Sequence, residues 1–451
     1  MLLRRALHPA QTWASKWSYY FAASPKTVLA AAMFALAPRA IAGTEVYIGV
    51  SPGIVAQKNA VALAQFHPSR PQTPEDLVLA EAMRGIIRAD LLYSRYFEIK
   101  EDALAPANLD TGKESLAYWK SLAGHLITGR AKDAGAVWTF TARLYDLSTG
   151  LVVMEKFYQG EKRAMRRAAH MFADDVVMRL TGRRGIAHSK LAFANNATGR
   201  KEIYMADYDG ENLVRLTSDN SINLLPRWST DATRIYYTTY RWGNPDMFEI
   251  DLKAGKIHPF TTFQGLNIPG GFSPDGMTMV MTLSRGDDPS IYTLNVVTKA
   301  LKKLLQGFGV SSSPTWSPDG TQVAFVSDRS GNPQLYVLEM ATGKTRKLTR
   351  FNWCDSPSWS PSGEWIVFAG RETTKEKFNI FATDLTGSQI RRLTSQAGDN
   401  EDPSWSPDGR FVAFTSTRNG RREIFIMDGD GSAPHPLVEM KGNSFTPNWS
   451  P

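Results

Sequence analysis

The chain has 451 residues, of which 42% are hydrophobic, and this is enough to build the cores of two or three domains. Its single cysteine, Cys354, excludes an internal disulfide and a CxxC metal or redox motif. The seven histidines are scattered, so no pair has the spacing of a histidine-built metal helix. Five positive charges of the net +8 lie in residues 1–42, which contain no acid, so the remainder of +3 gives no reason to expect nucleic-acid binding.

The first 42 residues have the pattern of an export signal. A long basic region runs to Lys26, an apolar stretch follows over residues 27–37, and Ala40-Ile41-Ala42 offers small residues to a signal peptidase. We predict cleavage after Ala42 and no insertion of the mature chain into a membrane, because the apolar stretch is too short for a stable anchor. No cysteine follows it to carry a lipid. An uncleaved helix near the membrane is the alternative.

Residues 43–181 are predicted to form a small α/β domain. A strand is expected at residues 45–50, and Thr73-Pro74-Glu75-Asp76 marks a helix start, with a capping hydroxyl, a proline and acids in the first turn. The expected buried face of this helix contains Leu77, Ala80, Ile87 and Leu91. Further elements are a helix at residues 115–123, two strands paired across the turn at 146–150, and a helix that ends at Gly182.

A linker is predicted at residues 182–189, and residues 190–451 carry an internal repeat. One series of bulky residues is spaced by 44, 44, 44, 43 and 46 residues, and a second series by 44, 44, 44, 45 and 44. The first series is Phe193, Tyr237, Met281, Phe325, Phe368 and Phe414, and the second is Tyr204, Phe248, Tyr292, Tyr336, Phe381 and Phe425. Six repeats of about 44 residues are therefore present.

Each repeat is predicted to form four short antiparallel strands, because β-rich runs alternate with turn motifs. Four strands in each of six repeats predict a six-bladed β-propeller. The first repeat lacks its opening strand, whereas Trp449-Ser450-Pro451 has no repeat behind it. We therefore predict that the last strand completes the first blade and closes the ring. The fold class is an α+β two-domain protein, with a small N-terminal α/β domain before a six-bladed propeller closed by the C-terminal strand.

The repeated Ser-Pro-Asp-Gly motif has a structural interpretation. Asp275, Asp319 and Asp408 precede a glycine in a turn, so we expect them to cap that turn and not to form a catalytic carboxylate site. The tryptophans before the motif recur from blade to blade and are expected to pack in the core. Cys354 is expected to be a small packing residue.

The chain resembles the TolB family of periplasmic Tol-Pal proteins. The resemblance rests on the signal peptide, the domain that opens Thr44-Glu45-Val46-Tyr47-Ile48, the six blades, the final Trp449-Ser450-Pro451, and Tyr208-Asp209-Gly210 in the first blade. It covers the whole predicted mature chain, although many propellers carry the repeat motif. Asp231-Ala232 and Ser362-Gly363 replace Asp-Gly in two blades, and the basic region of the signal is longer than usual.

The resemblance implies a function in docking. A TolB-like protein would lie in the periplasm, bind the outer-membrane lipoprotein Pal through its propeller, and support outer-membrane integrity and constriction during cell division. It would bind the inner-membrane protein TolA through the N-terminal segment Thr44, Glu45, Val46, Tyr47 and Ile48. That this segment is simply the first strand of its own domain is an equal alternative. No cofactor, metal or nucleic acid is implied, although a cation in the channel is left open.

An enzyme is the rival interpretation. A propeller-type hydrolase or lyase, or a ligand-binding propeller, would share the repeat. The G-x-S-x-G elbow of a prolyl-oligopeptidase-type hydrolase is missing, since Gly309-Val310-Ser311-Ser312-Ser313 fails at its last position. We therefore expect no catalytic residues.

The segments just before each Trp differ most between repeats, and they should ring one mouth of the central channel. By the resemblance we assign this rim to Pal binding, with a plain solvated rim as the alternative. The predicted rim consists of Leu224, Leu225, Asn267, Pro269, Ser312, Ser313, Asp355, Glu401, Asp402, Phe445 and Thr446. Ser312 and Asp402 in particular are expected to be exposed.

Overall fold

The structure is a computed structural model that describes residues 58–68, 73–102, 113–285, 288–307, 309–395 and 397–451. The predicted signal peptide with its cleavage site at Ala42, and the predicted TolA-binding segment at residues 44–48, lie outside the described residues. The predicted domain boundaries at residues 42, 181 and 190 stay predictions.

The N-terminal part of the described chain is a mixed β-sheet with helices. Its strands are β1 (Asn59–Leu63), β2 (His67–Pro68), β3 (Phe97–Lys100), β4 (His125–Asp133), β5 (Val137–Asp146) and β6 (Leu151–Glu161). Its helices are α1 (Pro74–Tyr93), α2 (Lys113–Lys120) and α3 (Met165–Thr181), the last preceded by a 3-10 turn at Lys162–Ala164. The strand order is β3-β1-β4-β5-β6, with β2 beside β4. Strand β1 pairs parallel with β3 and β4, and β2 pairs parallel with β4, whereas the pairs β4–β5 and β5–β6 are antiparallel.

Helix α1 begins at the predicted motif. Thr73 Oγ1 accepts a hydrogen bond from the Asp76 amide (3.2 Å), and Asp76 Oδ2 accepts one from the Thr73 amide (3.0 Å), which is a capping box. Of the predicted buried face, Ala80, Ile87 and Leu91 are buried. The prediction for Leu77 is wrong, because the buried stripe runs through Asp76 and Leu79 and leaves Leu77 57% exposed.

The rest of the described chain forms six four-stranded antiparallel sheets, the blades of a propeller. Their first strands are β10 (Asn223–Trp228), β14 (Asn267–Phe272), β18 (Ser311–Trp316), β22 (Trp353–Trp359), β26 (Asn400–Trp405) and β30 (Ser444–Trp449). Their second strands are β11 (Arg234–Thr239), β15 (Thr278–Leu283), β19 (Gln322–Ser327), β23 (Trp365–Arg371), β27 (Phe411–Ser416) and β7 (Lys190–Asn195). Each first strand contacts the first strands of both neighbouring blades, so these six strands surround the axis of the ring.

The outer half of each blade is built the same way. The third strands are β12 (Asp246–Asp251), β16 (Ser290–Asn295), β20 (Gln334–Glu339), β24 (Asn379–Asp384), β28 (Glu423–Asp428) and β8 (Glu202–Asp207). The outermost strands are β13 (Lys256–Thr261), β17 (Leu301–Lys303), β21 (Thr345–Lys347), β25 (Ile390–Arg392), β29 (His435–Pro436) and β9 (Val214–Arg215). Blade 1 contains β7, β8 and β9, and blades 2 to 6 follow in chain order.

The ring closes as predicted, because β30 pairs with β7 and supplies the first strand of blade 1. Asn195 Nδ2 donates to Ser444 Oγ (2.9 Å), and Trp449 Nε1 donates to Ser189 Oγ (2.7 Å). These bonds connect β30 to the start of the propeller in blade 1, two segments that lie about 250 residues apart in the chain. The predicted two-domain α+β fold with a six-bladed propeller is confirmed.

The antiparallel strand order divides the ring into two faces. Turns between first and second strands, and between third and fourth strands, lie on one face, which we call the turn face. Turns between second and third strands, and the loops that lead into the next blade, lie on the other, which we call the loop face. On the turn face Ser317 Oγ donates to Asp319 Oδ1 (2.5 Å), and so does the Thr321 amide (3.0 Å), so the predicted capping role of this aspartate is confirmed.

Helices α1 and α3 pack against the turn-face edge of blades 1 and 6. Leu91 of α1 and Phe172 of α3 share one hydrophobic cluster with Tyr208 and Phe411 of the propeller. Within the ranges that the structure describes, no helix is long and apolar enough to cross a membrane.

Candidate functional site

The six first strands enclose a channel with a cavity of about 240 Å³. Its wall comes from every blade and is rich in tryptophan, proline and serine. Every first strand has an irregular register before its final residues, which is the mark of a β-bulge. In five blades the residue before the bulge proline has a φ of 50 to 57°, and each of these residues lines the cavity: Leu225, Ser313, Ser356, Asp402 and Thr446.

Blade 3 departs from this arrangement. It has Pro269 where the other blades have the residue with positive φ, and proline is locked at negative φ. Gly270 and Gly271 follow, and a side chain on Gly270 would clash with the Pro314 carbonyl oxygen, which lies 2.6 Å from a built Cβ. Two small residues therefore let blades 3 and 4 approach closely beside the channel.

The structure brings some of the predicted rim residues to the channel wall and not others. Four line the cavity, namely Leu225, Ser313, Asp402 and Thr446. Seven do not, namely Leu224, Asn267, Pro269, Ser312, Asp355, Glu401 and Phe445. Eight of the eleven are buried, and only Leu225, Ser313 and Asp355 are partly exposed. Whether these residues bind a partner stays a prediction.

The expected exposure of two rim residues is wrong. Ser312 is 3% exposed and Asp402 is 7% exposed. The reason is that six strands converge on a narrow channel, so side chains of neighbouring blades cover one another. Ser356 Oγ donates to Asp402 Oδ1 (3.0 Å), and Ser313 Oγ donates to Asp355 Oδ1 (3.2 Å), each bond joining two adjacent blades. Arginine at positions 312 and 402 would therefore disturb the ring as well as the rim.

Asn267 fixes the loop that precedes its own strand through side-chain hydrogen bonds to the backbone. Its Nδ2 donates to the Phe263 carbonyl (2.5 Å) and the Gly265 carbonyl (3.0 Å), while its Oδ1 accepts from the Phe263 amide (3.1 Å). Asn223 and Asn400 occupy the same register and are also fully buried. Asn267 thus satisfies backbone groups of the loop that enters its blade, and Asn400 Nδ2 does the same for the Gly398 carbonyl (3.2 Å), whereas Asn223 Nδ2 donates to the side chains of Glu202 (2.9 Å) and Asp219 (2.7 Å).

Two cations beside the rim were missed by the sequence analysis. Arg422 Nη1 donates to Glu401 Oε2 (2.5 Å), and the ring of Phe445 lies 4.5 Å from Lys201 Nζ and 5.8 Å from the Arg422 guanidinium. Burial, and next the charge of Arg422, lower the pKa of Lys201 to about 8, against the effect of Asp402. Both cations immediately precede a third strand, so an alignment of the repeats around Glu202 and Glu423 would have revealed them.

Other candidate groups have structural roles. Among the described residues, no group of three or more His, Cys, Asp or Glu side chains is placed to hold a metal ion. Cys354 is fully buried, with its Sγ 3.2 Å from Thr349 Oγ1, in agreement with a packing role. Of the tryptophans predicted to pack in the core, Trp228, Trp359 and Trp449 are buried, whereas Trp316 and Trp405 are partly exposed.

Known proteins resemble this chain over the propeller and beyond. The family profile described as "TolB beta propeller domain" matches residues 177–451. The Tol-Pal system protein TolB of Desulfosudis oleivorans is 33% identical over 229 residues, which are 49% of this chain and 52% of that protein. The Tol-Pal system protein TolB of Geobacter sulfurreducens is 35% identical over 218 residues, 46% of this chain and 48% of that protein. The matched stretch thus spans about half the length of these curated relatives.

A solved structure extends the likeness to both parts of the chain. The crystal structure of TolB from Acinetobacter baumannii superposes with a TM-score of 0.73 at 25% identity and covers 88% of this chain and 97% of its own. The resemblance predicted from the blade motifs is confirmed by this match and by the family profile, which covers more than half of the chain. The chain belongs to the TolB β-propeller family.

Proposed function

We propose that the chain is a docking protein of the periplasmic Tol-Pal system, which connects the outer-membrane lipoprotein Pal with the inner-membrane protein TolA. The match of residues 177–451 to the TolB propeller family is the observation that carries this proposal. The names of the curated relatives, "Tol-Pal system protein TolB", support it. In this role the protein supports outer-membrane integrity and constriction during cell division.

The first experiment is a pull-down from envelope extract with the full mature chain as bait. Recovery of Pal and TolA supports docking, and their absence from the bound fraction contradicts it. We also propose that the chain has no catalytic activity. The purified chain can therefore be assayed for the rival enzymatic function. Turnover of chromogenic peptides or oligosaccharides by the purified chain would favour a hydrolase or lyase.

We propose that Pal binds at the loop-face mouth of the channel. Ser313 supports this site because it is partly exposed, lines the cavity and bonds to the neighbouring blade. Ser313→Arg should weaken Pal binding about tenfold or more, since a long cation would occupy the mouth, and its Tm shows whether loss of the bond to Asp355 has also disturbed the ring. Thr230→Arg is the matched control, because Thr230 is exposed and lines the same cavity from the turn face. Weakened binding by the control alone would move the site to the other mouth.

We propose that TolA binds residues 44–48. This segment, Thr44-Glu45-Val46-Tyr47-Ile48, is rich in β-formers and suits a partner that adds it as a strand to its own sheet. Deletion of residues 43–50 should abolish TolA binding and leave Pal binding intact. Circular dichroism checks that the variant is folded, and retained TolA binding by a folded variant would reject the segment.

We also propose that the chain is exported and cleaved after Ala42. N-terminal sequencing of the protein from a periplasmic extract tests both points together. A mature chain that starts at Gly43 is expected. Recovery of the full-length chain in the membrane fraction would instead support the uncleaved helix.

A further inference from the structure

One turn on the loop face breaks the symmetry of the propeller. In blade 2 the turn between β11 and β12 reads Arg241-Trp242-Gly243-Asn244-Pro245, and in blade 4 the equivalent turn reads Arg329-Ser330-Gly331-Asn332-Pro333. Four of the five residues are the same, and both glycines have positive φ, 85° and 106°. Since serine serves in blade 4, the turn itself does not require a tryptophan.

Trp242 is held in place but remains in contact with solvent. It is 59% exposed, although it packs edge-on against the ring of Phe248, with 4.9 Å between ring centroids. The Arg241 guanidinium lies 5.7 Å from the same ring, and its Nε donates to Asp219 (2.9 Å). A large aromatic side chain that is already ordered loses little entropy when a partner covers it.

Further apolar and cationic side chains adjoin this tryptophan. Asn244 Nδ2 donates to the Phe263 carbonyl (3.1 Å), which ties the turn to the loop that holds partly exposed Phe263 and Leu266. The Arg285 guanidinium lies 5.3 Å from the Phe263 ring. Within the described residues, Arg285 forms no ion pair, whereas Arg241 pairs with Asp219. We call Trp242, Phe263, Leu266, Arg241 and Arg285 the blade 2 patch.

The composition of the blade 2 patch suits a protein interface. Tryptophan and arginine are the residues most enriched among those that carry binding energy, and an apolar centre with a charged margin is the usual layout. Leu266 directly precedes Asn267, so the patch continues into the predicted rim of the channel. A partner that docks at the loop-face mouth would therefore also lie beside the blade 2 patch.

We propose that the blade 2 patch is part of the docking surface for Pal and that Trp242 is its anchor. The partner surface then carries an apolar side chain that covers the Trp242 ring and a carboxylate that pairs with Arg285. This inference rests on the proposed function, because it takes Pal as the occupant. It assigns binding energy to a turn that lies outside the eleven rim residues.

The test measures the affinity of the full mature chain for the soluble domain of Pal by calorimetry. Trp242→Ser introduces the residue that blade 4 already has in this turn, so the fold should be retained. We expect Kd to rise about 10- to 30-fold with an unchanged Tm. Phe157→Ser is the matched control, because Phe157 is a similarly exposed aromatic (61%) on β6 of the N-terminal part, and its Kd should equal that of the wild type.

Arg285 has a separate readout. Arg285→Ala should lower the association rate and weaken its dependence on salt, and Arg285→Lys should restore part of both, because the pairing is electrostatic. As a second measurement, a photoreactive phenylalanine analogue at position 242 should cross-link to bound Pal, and one at position 157 should not.

The outcomes separate the inference from the function on which it rests. If the wild-type chain does not bind Pal, both the proposed docking function and the Trp242 anchor are rejected. If the wild type binds and Trp242→Ser binds equally tightly, or if no cross-link forms from position 242 in the bound complex, the anchor is rejected and the docking function stands.

Discussion

Asp319 stabilises its turn through three hydrogen bonds, from Ser317 Oγ (2.5 Å), the Thr321 amide (3.0 Å) and Thr321 Oγ1 (2.8 Å). The bond from Ser317, and next those from Thr321, lower the pKa of Asp319. Asp319→Ala should therefore lower the Tm without weakening Pal binding. Because the pKa of Asp319 is lower in the folded chain, the stability that this residue contributes is fully present above the ordinary carboxyl pKa of about 4. It is lost as the pH falls from there through the folded pKa.

The matched control for Asp319 lies in blade 5, where Ser362 takes the place of aspartate. Ser362 Oγ contacts Ser360 Oγ (3.1 Å) and accepts one longer bond from the Glu364 amide (3.4 Å). Ser362→Ala should lower the Tm less than Asp319→Ala does. Thermal unfolding near neutral pH and near pH 3 measures both effects, and equal losses for the two variants would contradict the capping role.

Lys201 gives a second prediction, on pH dependence. Its pKa is lowered to about 8, below the value of about 10.4 in an unfolded chain. Between these values the unfolded chain binds more protons than the folded one, so Lys201 makes the free energy of unfolding rise with pH. Below the folded pKa the lysine is charged in both states, and the stability that is gained at higher pH is absent.

Lys201→Met removes this dependence. As the pH rises from about 7 to about 9.5, the difference in unfolding free energy should shift in favour of the wild type. Urea unfolding at a series of pH values measures it, with Lys344→Met, on an exposed turn, as the control. A difference that stays constant over this range would show that Lys201 titrates normally.

Strand β30 is the element on which ring closure depends. Its residues Asn448 and Trp449 bond to both neighbours in the ring, because the Trp228 amide donates to Asn448 Oδ1 (3.0 Å) and the Trp449 amide donates to Ser404 Oγ (3.0 Å). Removal of residues 444–451 should therefore open the ring and expose two sheet edges. Loss of the buried Trp449 alone is worth about 3 to 5 kcal/mol.

Removal of Pro451 alone is the control for β30, because this residue is exposed and lies outside the strand. Calorimetry should show a large fall in Tm for the longer deletion and almost none for the control. A longer deletion that melts within a few degrees of the wild type would mean that the closing strand contributes little.

The elements differ in how far the sequence predicts them. Blade number, strand number, turns and ring closure follow from local patterns repeated at a fixed spacing, so each repeat supports the others. The strands β1 to β4 lack such support, and no pattern in the sequence predicts them. Burial of Ser312 and Asp402 depends on six strands meeting at one axis, and the cluster of Phe445 with Lys201 joins residues more than 240 positions apart. No local pattern contains that information.

The described N-terminal part and the propeller are joined by a buried network between α1, α3 and blades 1 and 6. Asp90 accepts hydrogen bonds from Tyr208 Oη (2.6 Å) and pairs with His170 Nδ1 (2.8 Å), and Asp90 and His170 are almost completely buried. The Tyr93 ring packs edge-on against Tyr208 and at a tilt against Phe411, with 4.9 Å between centroids in each case. Because polar and aromatic contacts both cross this boundary, the two parts should unfold together.

Tyr93→Ala tests this coupling. The wild type is expected to show one calorimetric transition, and the variant two, because loss of the ring leaves a cavity between the N-terminal part and blades 1 and 6. Tyr208→Phe is the control, since it removes the bond to Asp90 but keeps the ring, and it should lower the Tm of a single transition. Two transitions in the wild type, or an undivided transition in Tyr93→Ala, would mean that the parts are stable independently or are held together by other contacts.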